Sequence, residues 1–192
     1  MPSTEEHTDL DARAQQILLQ VARESIAYGF AHHAPLPVDP DRYEPALYAP
    51  RATFATLRRD GQLRGCIGTL EALRPLVEDV AHNAFAAAFR DPRFPPLTRQ
   101  EWPTVQLSLS VCSPPEPVPA ASEADLLARL RPGIDGLTLE EQARRATFLP
   151  AVWEELPDPA DFLQHLKRKA GWPAGYWSPT LRAYRYTTQA IH

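Results

Sequence analysis

The sequence predicts an α+β protein built on antiparallel β-sheets. Residues 51–70, RATFATLRRDGQLRGCIGTL, alternate in polarity on both sides of Asp60-Gly61, a dipeptide that favours the tight turn of a β-hairpin. Residues 105–112, VQLSLSVC, alternate between an apolar face and a face of Gln, Ser and Cys, which is typical of a strand with one buried face. Helical segments separate these strands in mixed order, without the regular βαβ alternation of a parallel sheet.

The length of the chain fits one domain that can bury a sizeable core, and we predict that domain over residues 1–192. In chain order its segments are an N-terminal helix over 8–32, a Pro-rich loop over 33–50, a hairpin, helix and strand over 51–112, a Pro-rich connection over 113–121, and a second hairpin, helices and last strand over 122–192.

Capping residues indicate where the helices begin and end. Thr8 and Asp11 fit a capping box at the start of the first helix. Pro75 opens a helix that is predicted to end at Asp91, because the residue before a proline disfavours helical geometry. Another helix over 158–171 begins with Asp-Pro and ends with Gly.

The second half of the chain repeats the hairpin theme. A short capped helix is predicted over 122–130, a second hairpin over 134–149, and a last strand over 180–188. The tetrapeptide Arg-Ala-Thr-Phe occurs at 51–54 and again at 145–148, each time in a predicted hairpin strand. This repeat suggests a duplicated hairpin unit.

Charge and cysteine content narrow the class of protein. The formal net charge of -4 gives no general attraction for a phosphate backbone, so nucleic-acid binding is disfavoured. Cys66 and Cys112 are the only cysteines, and the sequence contains no CxxC motif. A zinc site and a disulfide framework are therefore not predicted. No apolar run has the roughly 20 residues that a membrane span needs, and the start is acidic. We therefore expect a soluble cytoplasmic protein with reduced thiols and no membrane partner.

The candidate centre is Cys66 in the strand LRGCIG. Alternation puts the side chains on two faces, with Leu63, Gly65 and Ile67 on one and Arg64, Cys66 and Gly68 on the other. We expect the face with Leu and Ile to turn inward, which leaves Arg64 beside Cys66 on an outer or cleft face. A nearby guanidinium favours the thiolate, the nucleophilic form of cysteine. Gly68 would leave that face bare beside the sulfur, and Gly65 would let a backbone or ligand approach.

The alternative interpretation makes Cys66 a buried small apolar group, which is common for a free cysteine. No partner base can be identified from spacing: His82 and His165 lie on predicted helices with nothing to place them near Cys66. The second unusual segment, FRDPRFPPL, offers Arg90, Asp91 and Arg93. It is either a rigid loop that presents arginines to an anionic ligand or a helix stop in which Asp91 pairs with an arginine.

Several of these segments together resemble the AMMECR family. They are LRGCIGTL, AFRDPRFPPLT, SPPEP, RRATFLPAVWEELPDPADFLQHLKRKAG and YRYTT, and the resemblance runs from about Thr53 to Thr187. The sequence of the second hairpin and its helix is similar to that of the family's bacterial branch, which is called protein A of the AmmeMemoRadiSam system. The resemblance implies two lobes with internal pseudo-symmetry and a cleft beside LRGCIG. The Glu-Gln-Ala at 141–143 departs from the glycine-rich turn of many relatives.

Two functional hypotheses follow. In the first, an enzyme or enzyme subunit binds a small anionic ligand, with Cys66 and Arg64 as catalytic residues and Gly65, Gly68, Arg90, Asp91 and Arg93 as ligand-binding residues. The resemblance implies no settled reaction, metal or cofactor. In the second, a non-catalytic adaptor binds the Memo-like and radical-SAM proteins with which the family is associated, and GWPAGYW at 171–177 is either a partner surface or a loop packed on the preceding helix.

Overall fold

The structure, a computed structural model, describes residues 10–192. The chain divides into two compact units, the first running to Ser113 and completed by Gln189–His192, and the second spanning Pro114–Thr188. Each unit contains a four-stranded sheet and its own hydrophobic core. The predicted α+β class is confirmed. Within residues 10–192, no helix is both long enough and apolar enough to cross a bilayer.

The element bounds follow the predicted order. The helices are α1 (Ala12–His32), α2 (Pro45–Tyr48), α3 (Leu76–Phe89), α4 (Glu123–Arg129) and α5 (Pro159–Lys169). The strands are β1 (Thr53–Arg59), β2 (Gln62–Gly68), β3 (Val105–Cys112), β4 (Glu116–Pro117), β5 (Gly136–Glu141), β6 (Arg144–Phe148), β7 (Arg182–Tyr186) and β8 (Thr188–Ile191). The first sheet has the order β2-β1-β3-β8 and the second has the order β4-β7-β5-β6.

Helix α1 is capped by Asp11, whose carboxylate accepts a hydrogen bond of 2.7 Å from the Ala14 amide. Asp11 satisfies one of the amides that a helix start leaves unpaired. The predicted capping role of Thr8 lies outside the described residues. The helix ends at His33, which adopts a left-handed φ of 53°.

The Pro-rich segment contains more structure than predicted. A loop was expected over 33–50, but Pro40–Arg42 form a 3₁₀ turn and α2 adds one helical turn. Pro45 occupies the first turn of α2, where its fixed φ suits a helix and its missing N–H costs nothing. Leu47 is fully buried in the first core, so this turn is held by packing.

The first core lies on one face of the first sheet. The alternation predicted for β3 is confirmed, since its four apolar residues are buried: Val105, Leu107, Leu109 and Val111. They pack with the buried sides of α1 and α3. The opposite face of β3 carries Ser108 and Ser110, which remain half-exposed.

The first hairpin forms as predicted, with one irregularity. Asp60 and Gly61 have φ of 52° and 77°, as a tight turn requires. In the register of β1 and β2, Leu57 lies opposite Gly65 and Arg58 lies opposite Leu63. Arg64 is therefore the extra residue of a β-bulge. The bulge moves Leu63 onto the face of Cys66, so the expectation that Leu63, Gly65 and Ile67 share one face is corrected.

Gly65 brings helix α3 unusually close to β2. A Cβ added at Gly65 would stand 2.2 Å from the carbonyl oxygen of Ala87, which is backbone in the last turn of α3. Only glycine permits this approach, because no side-chain rotation can relieve a contact between a Cβ and a backbone oxygen. The approach predicted for Gly65 is thus made by the protein's own helix.

The second unit confirms the predicted hairpin and both capped helices. β5 and β6 pair antiparallel, Ser122 caps α4, and Asp158 caps α5 through the amides of Ala160 and Asp161. In the segment 171–177 the aromatic side chains pack inward, since Trp172 is 4% exposed and stacks with Tyr176, whereas Gly171, Pro173 and Gly175 are exposed. The tuck of this loop onto its own unit is therefore observed.

Two strand predictions needed correction in this half of the chain. The segment predicted as the last strand, 180–188, contains β7 of the second sheet, and the chain then continues into β8 of the first sheet, a strand that was not predicted. The Pro-rich connection contains β4, whose Glu116 and Pro117 pair with β7. The repeated Arg-Ala-Thr-Phe enters the first strand of one hairpin but lies in the return strand of the other.

We predict that Gly65→Ala destabilises the protein by about 1–3 kcal/mol, because the new methyl group overpacks the contact with Ala87. Urea unfolding followed by circular dichroism measures the change. Gly175→Ala is the matched control, because a Cβ there meets nothing within 4 Å, and it should stay within about 0.5 kcal/mol of the wild type. Equal stability of the two variants would contradict the close approach.

Candidate functional site

Cys66 lies on the face of the first sheet that is opposite the helices. It pairs across the strands with Thr56 of β1, and Thr56 pairs in turn with Ser108 of β3. Residues directly opposite one another point to the same face, so these three side chains form one row. The Thr56 hydroxyl lies 3.3 Å from the Cys66 sulfur, and Cys66 is only partly buried.

The loop after α3 holds the backbone of Cys66 on both sides. The Cys66 amide donates to Oδ2 of Asp91 at 2.9 Å, and the Arg93 guanidinium donates to the Cys66 carbonyl at 3.1 Å. β2 is an edge strand, so these groups would otherwise lie open to another strand. Asp91 and Arg93 therefore form a clamp that fixes Cys66 and blocks pairing at that position.

The clamp is an ion pair with one buried end. Asp91 is 4% exposed, and its carboxylate accepts hydrogen bonds of 3.0 and 2.7 Å from the Arg93 guanidinium. These bonds, helped by the Cys66 amide, hold the pKa of Asp91 well below its usual range. The Arg93 side chain is 54% exposed, so its charge remains accessible to solvent.

The Arg64 side chain is bound by residues that follow α3. Its guanidinium forms a two-pronged pair with Glu101 at 3.0 and 3.1 Å and also donates to the carbonyl of Pro95. This pairing lowers the pKa of Glu101 to about 2, with help from the Thr98 amide. The expected electrostatic partnership of Arg64 with Cys66 is replaced by a structural ion pair, because the bulge at Arg64 turns it away from the row of Cys66.

The other expected ligand-binding residues have separate roles. The Phe54 ring lies over Gly68, where an added Cβ would be 2.1 Å from it, so the face beside Cys66 is not bare there. The Arg90 guanidinium stacks on the Phe85 ring at 4.9 Å. The space beside Gly65 is filled by the last turn of α3. Of the expected set, only Asp91 and Arg93 come together with Cys66.

Two residues of this region, Thr56 and Glu101, were not predicted from the sequence. Glu101 had a signal, because Thr98 and Glu101 have the spacing of a capping box and exchange the corresponding hydrogen bonds. For Thr56, the sequence signal, which is the expected register of the hairpin, was misleading. A two-residue turn at Asp60-Gly61 without a bulge would place Thr56 opposite Gly65, and the bulge shifts it to Cys66.

Histidines and metal ligands do not complete a catalytic set around Cys66 within residues 10–192. His82 pairs with Glu78, and His165 hydrogen-bonds the carbonyl of Asp161. Among the described residues, no group of three His, Cys, Asp or Glu side chains is arranged to hold a metal ion. Cys112 is 5% exposed, and burial raises the pKa of its thiol to about 12.

Comparison with known proteins gives consistent matches. The sequence model of the AMMECR1 family matches residues 19–191. A protein of Methanothermobacter thermautotrophicus is 40% identical over 144 residues, which cover 74% of this chain and 75% of that protein. A protein of Thermotoga maritima is 37% identical over 156 residues, which cover 79% of this chain and 84% of that protein. The crystal structure of uncharacterized protein PH0010 from Pyrococcus horikoshii has a TM-score of 0.82 at 29% identity, over 94% of this chain and 92% of that one.

The fold and site define an α+β protein whose edge strand carries a clamped cysteine. The chain belongs to the AMMECR1 family. The relatives named here come from archaea and from one bacterium, so they establish the family and not the branch within it.

We predict that Glu101→Gln destabilises the protein at pH 7 by about 1.5–3 kcal/mol, because Arg64 loses a charged hydrogen-bond partner. The pKa of Glu101 is lower in the folded protein than its ordinary value near 4.3. Its contribution to stability is therefore complete above that value and is lost as the pH falls toward about 2. The stability difference between wild type and variant should shrink below about pH 4.

Urea unfolding at pH 7, 5 and 3.5 measures this difference. Glu44→Gln is the control, because Glu44 forms an exposed ion pair with Arg13 in the same unit and should have little effect. A difference between wild type and Glu101→Gln that did not change with pH would contradict the assignment.

Proposed function

We propose that this AMMECR1-domain protein acts on a small anionic molecule through the Cys66 thiol, as an enzyme or as the subunit of one. The observation that carries the proposal is the position of Cys66: partly exposed, hydrogen-bonded to Thr56, and fixed at both backbone groups by Asp91 and Arg93. A reactive group must be held rigidly to act at a defined point on a ligand. The clamp supplies that rigidity.

The chemistry that fits this arrangement is attack by the Cys66 thiolate on an electrophilic atom. The thiol first releases its proton to water, and the sulfur lone pair then forms the new bond while the electrophile takes up the displaced electron pair. The Thr56 hydroxyl can donate a hydrogen bond to the thiolate, which stabilises the charged form. Arg93 lies next to the same residue with an exposed guanidinium, which can attract the anionic part of a ligand.

The resemblance to the bacterial branch supports a finer version of this proposal. In it, the protein belongs to the AmmeMemoRadiSam system and works in the same process as a Memo-like and a radical-SAM protein. Membership of the AMMECR1 family supports the first part of this statement only at the level of the domain. The reactive cysteine would then carry out one step of a reaction sequence shared with those two proteins.

We predict that Thr56→Val slows alkylation of Cys66 by iodoacetamide at pH 7 by about 2–10-fold, the value of one hydrogen bond to the thiolate. Mass spectrometry of the peptide that contains Cys66 measures the rate. Thr56→Ser is the matched control, because it keeps the hydroxyl and should keep the wild-type rate. Equal rates in all three proteins, or a Cys66 as unreactive as the buried Cys112, would remove the proposal.

A second function, that of an adaptor for the Memo-like and radical-SAM proteins, is favoured by an exposed apolar loop in the first unit. Leu73 is 75% exposed in the segment between β2 and α3, and Leu70 is also exposed. The loop is fixed to the end of α2, since Pro50 bridges to Pro75 and the Leu76 amide donates to the Ala49 carbonyl. Two exposed leucines on one fixed loop can supply an apolar contact for a partner protein.

We predict that Leu73→Ser weakens binding of such a partner by about fivefold or more, because it removes the apolar anchor of the loop. Co-purification from cells that express all three proteins measures the effect. Ile134→Ser is the control, because Ile134 is 51% exposed in the other unit. No co-purification of the wild type, or an equal loss in both variants, would count against the adaptor.

A further inference from the structure

A groove lies at the end of the row that contains Cys66. It encloses about 400 Å³ and is lined by Arg23 of α1, Arg58 of β1, His192 and residues 105–108 of β3. The lining includes four consecutive residues of β3, so the groove runs along the first half of that strand. β8, the neighbour of β3 at this edge, has four residues against eight and cannot cover its whole length.

The strand register connects this groove with Cys66. Ser108 lines the groove and stands in the same row as Thr56 and Cys66. Arg58 lies two residues from Thr56 on the same strand and therefore projects from the same face. Two strand spacings separate Ser108 from Cys66, which is about 10 Å. A molecule of metabolite size can span that distance.

The groove presents positive charge and hydrogen-bond donors. Within the part of the chain that the structure describes, the exposed guanidinium of Arg58 donates only to the carbonyl of Gly61, at 3.3 Å. Among residues 10–192, no carboxylate forms an ion pair with Arg23 or Arg58. Gln106 and Ser108 add a side-chain amide and a hydroxyl. Arginine with neutral donors beside it is the combination that binds a carboxylate or a phosphate.

We propose that this groove binds the carboxylate or phosphate of a small molecule whose other end lies over Cys66. Arg58 is the central contact, because it belongs both to the groove and to the face of Cys66. Arg23 and the side chains of Gln106 and Ser108 complete the site. The anion site stands independently, whereas the placement of the other end rests on the proposed function of Cys66. The groove, and not Arg64 or Arg90, then selects anionic substrates.

Two measurements test the proposal. In the first, isothermal titration with inorganic phosphate and, separately, with succinate measures anion binding. We expect one of the two to bind, and the one that binds identifies the group as phosphate or carboxylate. Arg58→Gln and Arg23→Gln should each weaken that binding about tenfold or more, the value of a charged hydrogen bond. Arg13→Gln is the control, because Arg13 lies exposed on the same helix as Arg23 and pairs with Glu44.

In the second measurement, Cys66 is alkylated with iodoacetate and with iodoacetamide, which differ in charge. The ratio of the iodoacetate rate to the iodoacetamide rate reports the electrostatic potential at the sulfur. We expect Arg58→Gln to lower the ratio several-fold and added salt to lower it in the wild type. Arg13→Gln should leave it unchanged.

The outcomes separate the two proposals. Absence of binding by both anions, or equal binding by wild type and Arg58→Gln, overturns the groove site. A rate ratio that is the same in wild type and Arg58→Gln overturns its connection to Cys66. Arg58-dependent anion binding with a Cys66 that neither reagent modifies supports the groove and overturns the proposed function.

Discussion

The contact between Gly65 and the backbone of Ala87 is the constraint on which the site depends. It brings the last turn of α3 against the edge strand β2, closer than any side chain would allow. Asp91 follows two residues after α3 and therefore lies within hydrogen-bonding distance of the Cys66 amide. Arg93 then reaches both Asp91 and the Cys66 carbonyl. One close packing contact thus positions the whole clamp.

The β-bulge at Arg64 separates the two sequence neighbours of Gly65, which are Arg64 and Cys66. Each of them has a different partner. Cys66 stays in a row with Thr56 on the face opposite the helices, while Arg64 pairs with Glu101. Arg64 therefore forms an ion pair with Glu101, which stabilises the segment that follows α3. The positive charge available to a ligand comes from elsewhere: from the exposed side of Arg93 and from Arg58 on the central strand β1.

Much of the fold could be predicted because local signals agreed. The Asp60-Gly61 turn, the alternation of β3, and the caps Ser122 and Asp158 each specify an element by themselves, through φ preference, periodicity of two or a side-chain hydrogen bond. Short elements were missed. β4 and α2 have little intrinsic stability and exist only through pairing with β7 or burial of Leu47.

The sequence alone was enough to predict that the protein is α+β, that Cys66 lies in a hairpin strand and that a helix ends just before Asp91, where α3 ends at Phe89. Tertiary structure alone decided which side chains meet there. A bulge changes strand register by one residue, and no local preference in LRGCIG specifies it. The assignment of the consecutive strands β7 and β8 to different sheets, and the groove that joins Arg23 to β3, likewise depend on contacts between residues far apart in the chain. Their free energy arises only when the chain is folded, so no short segment encodes them.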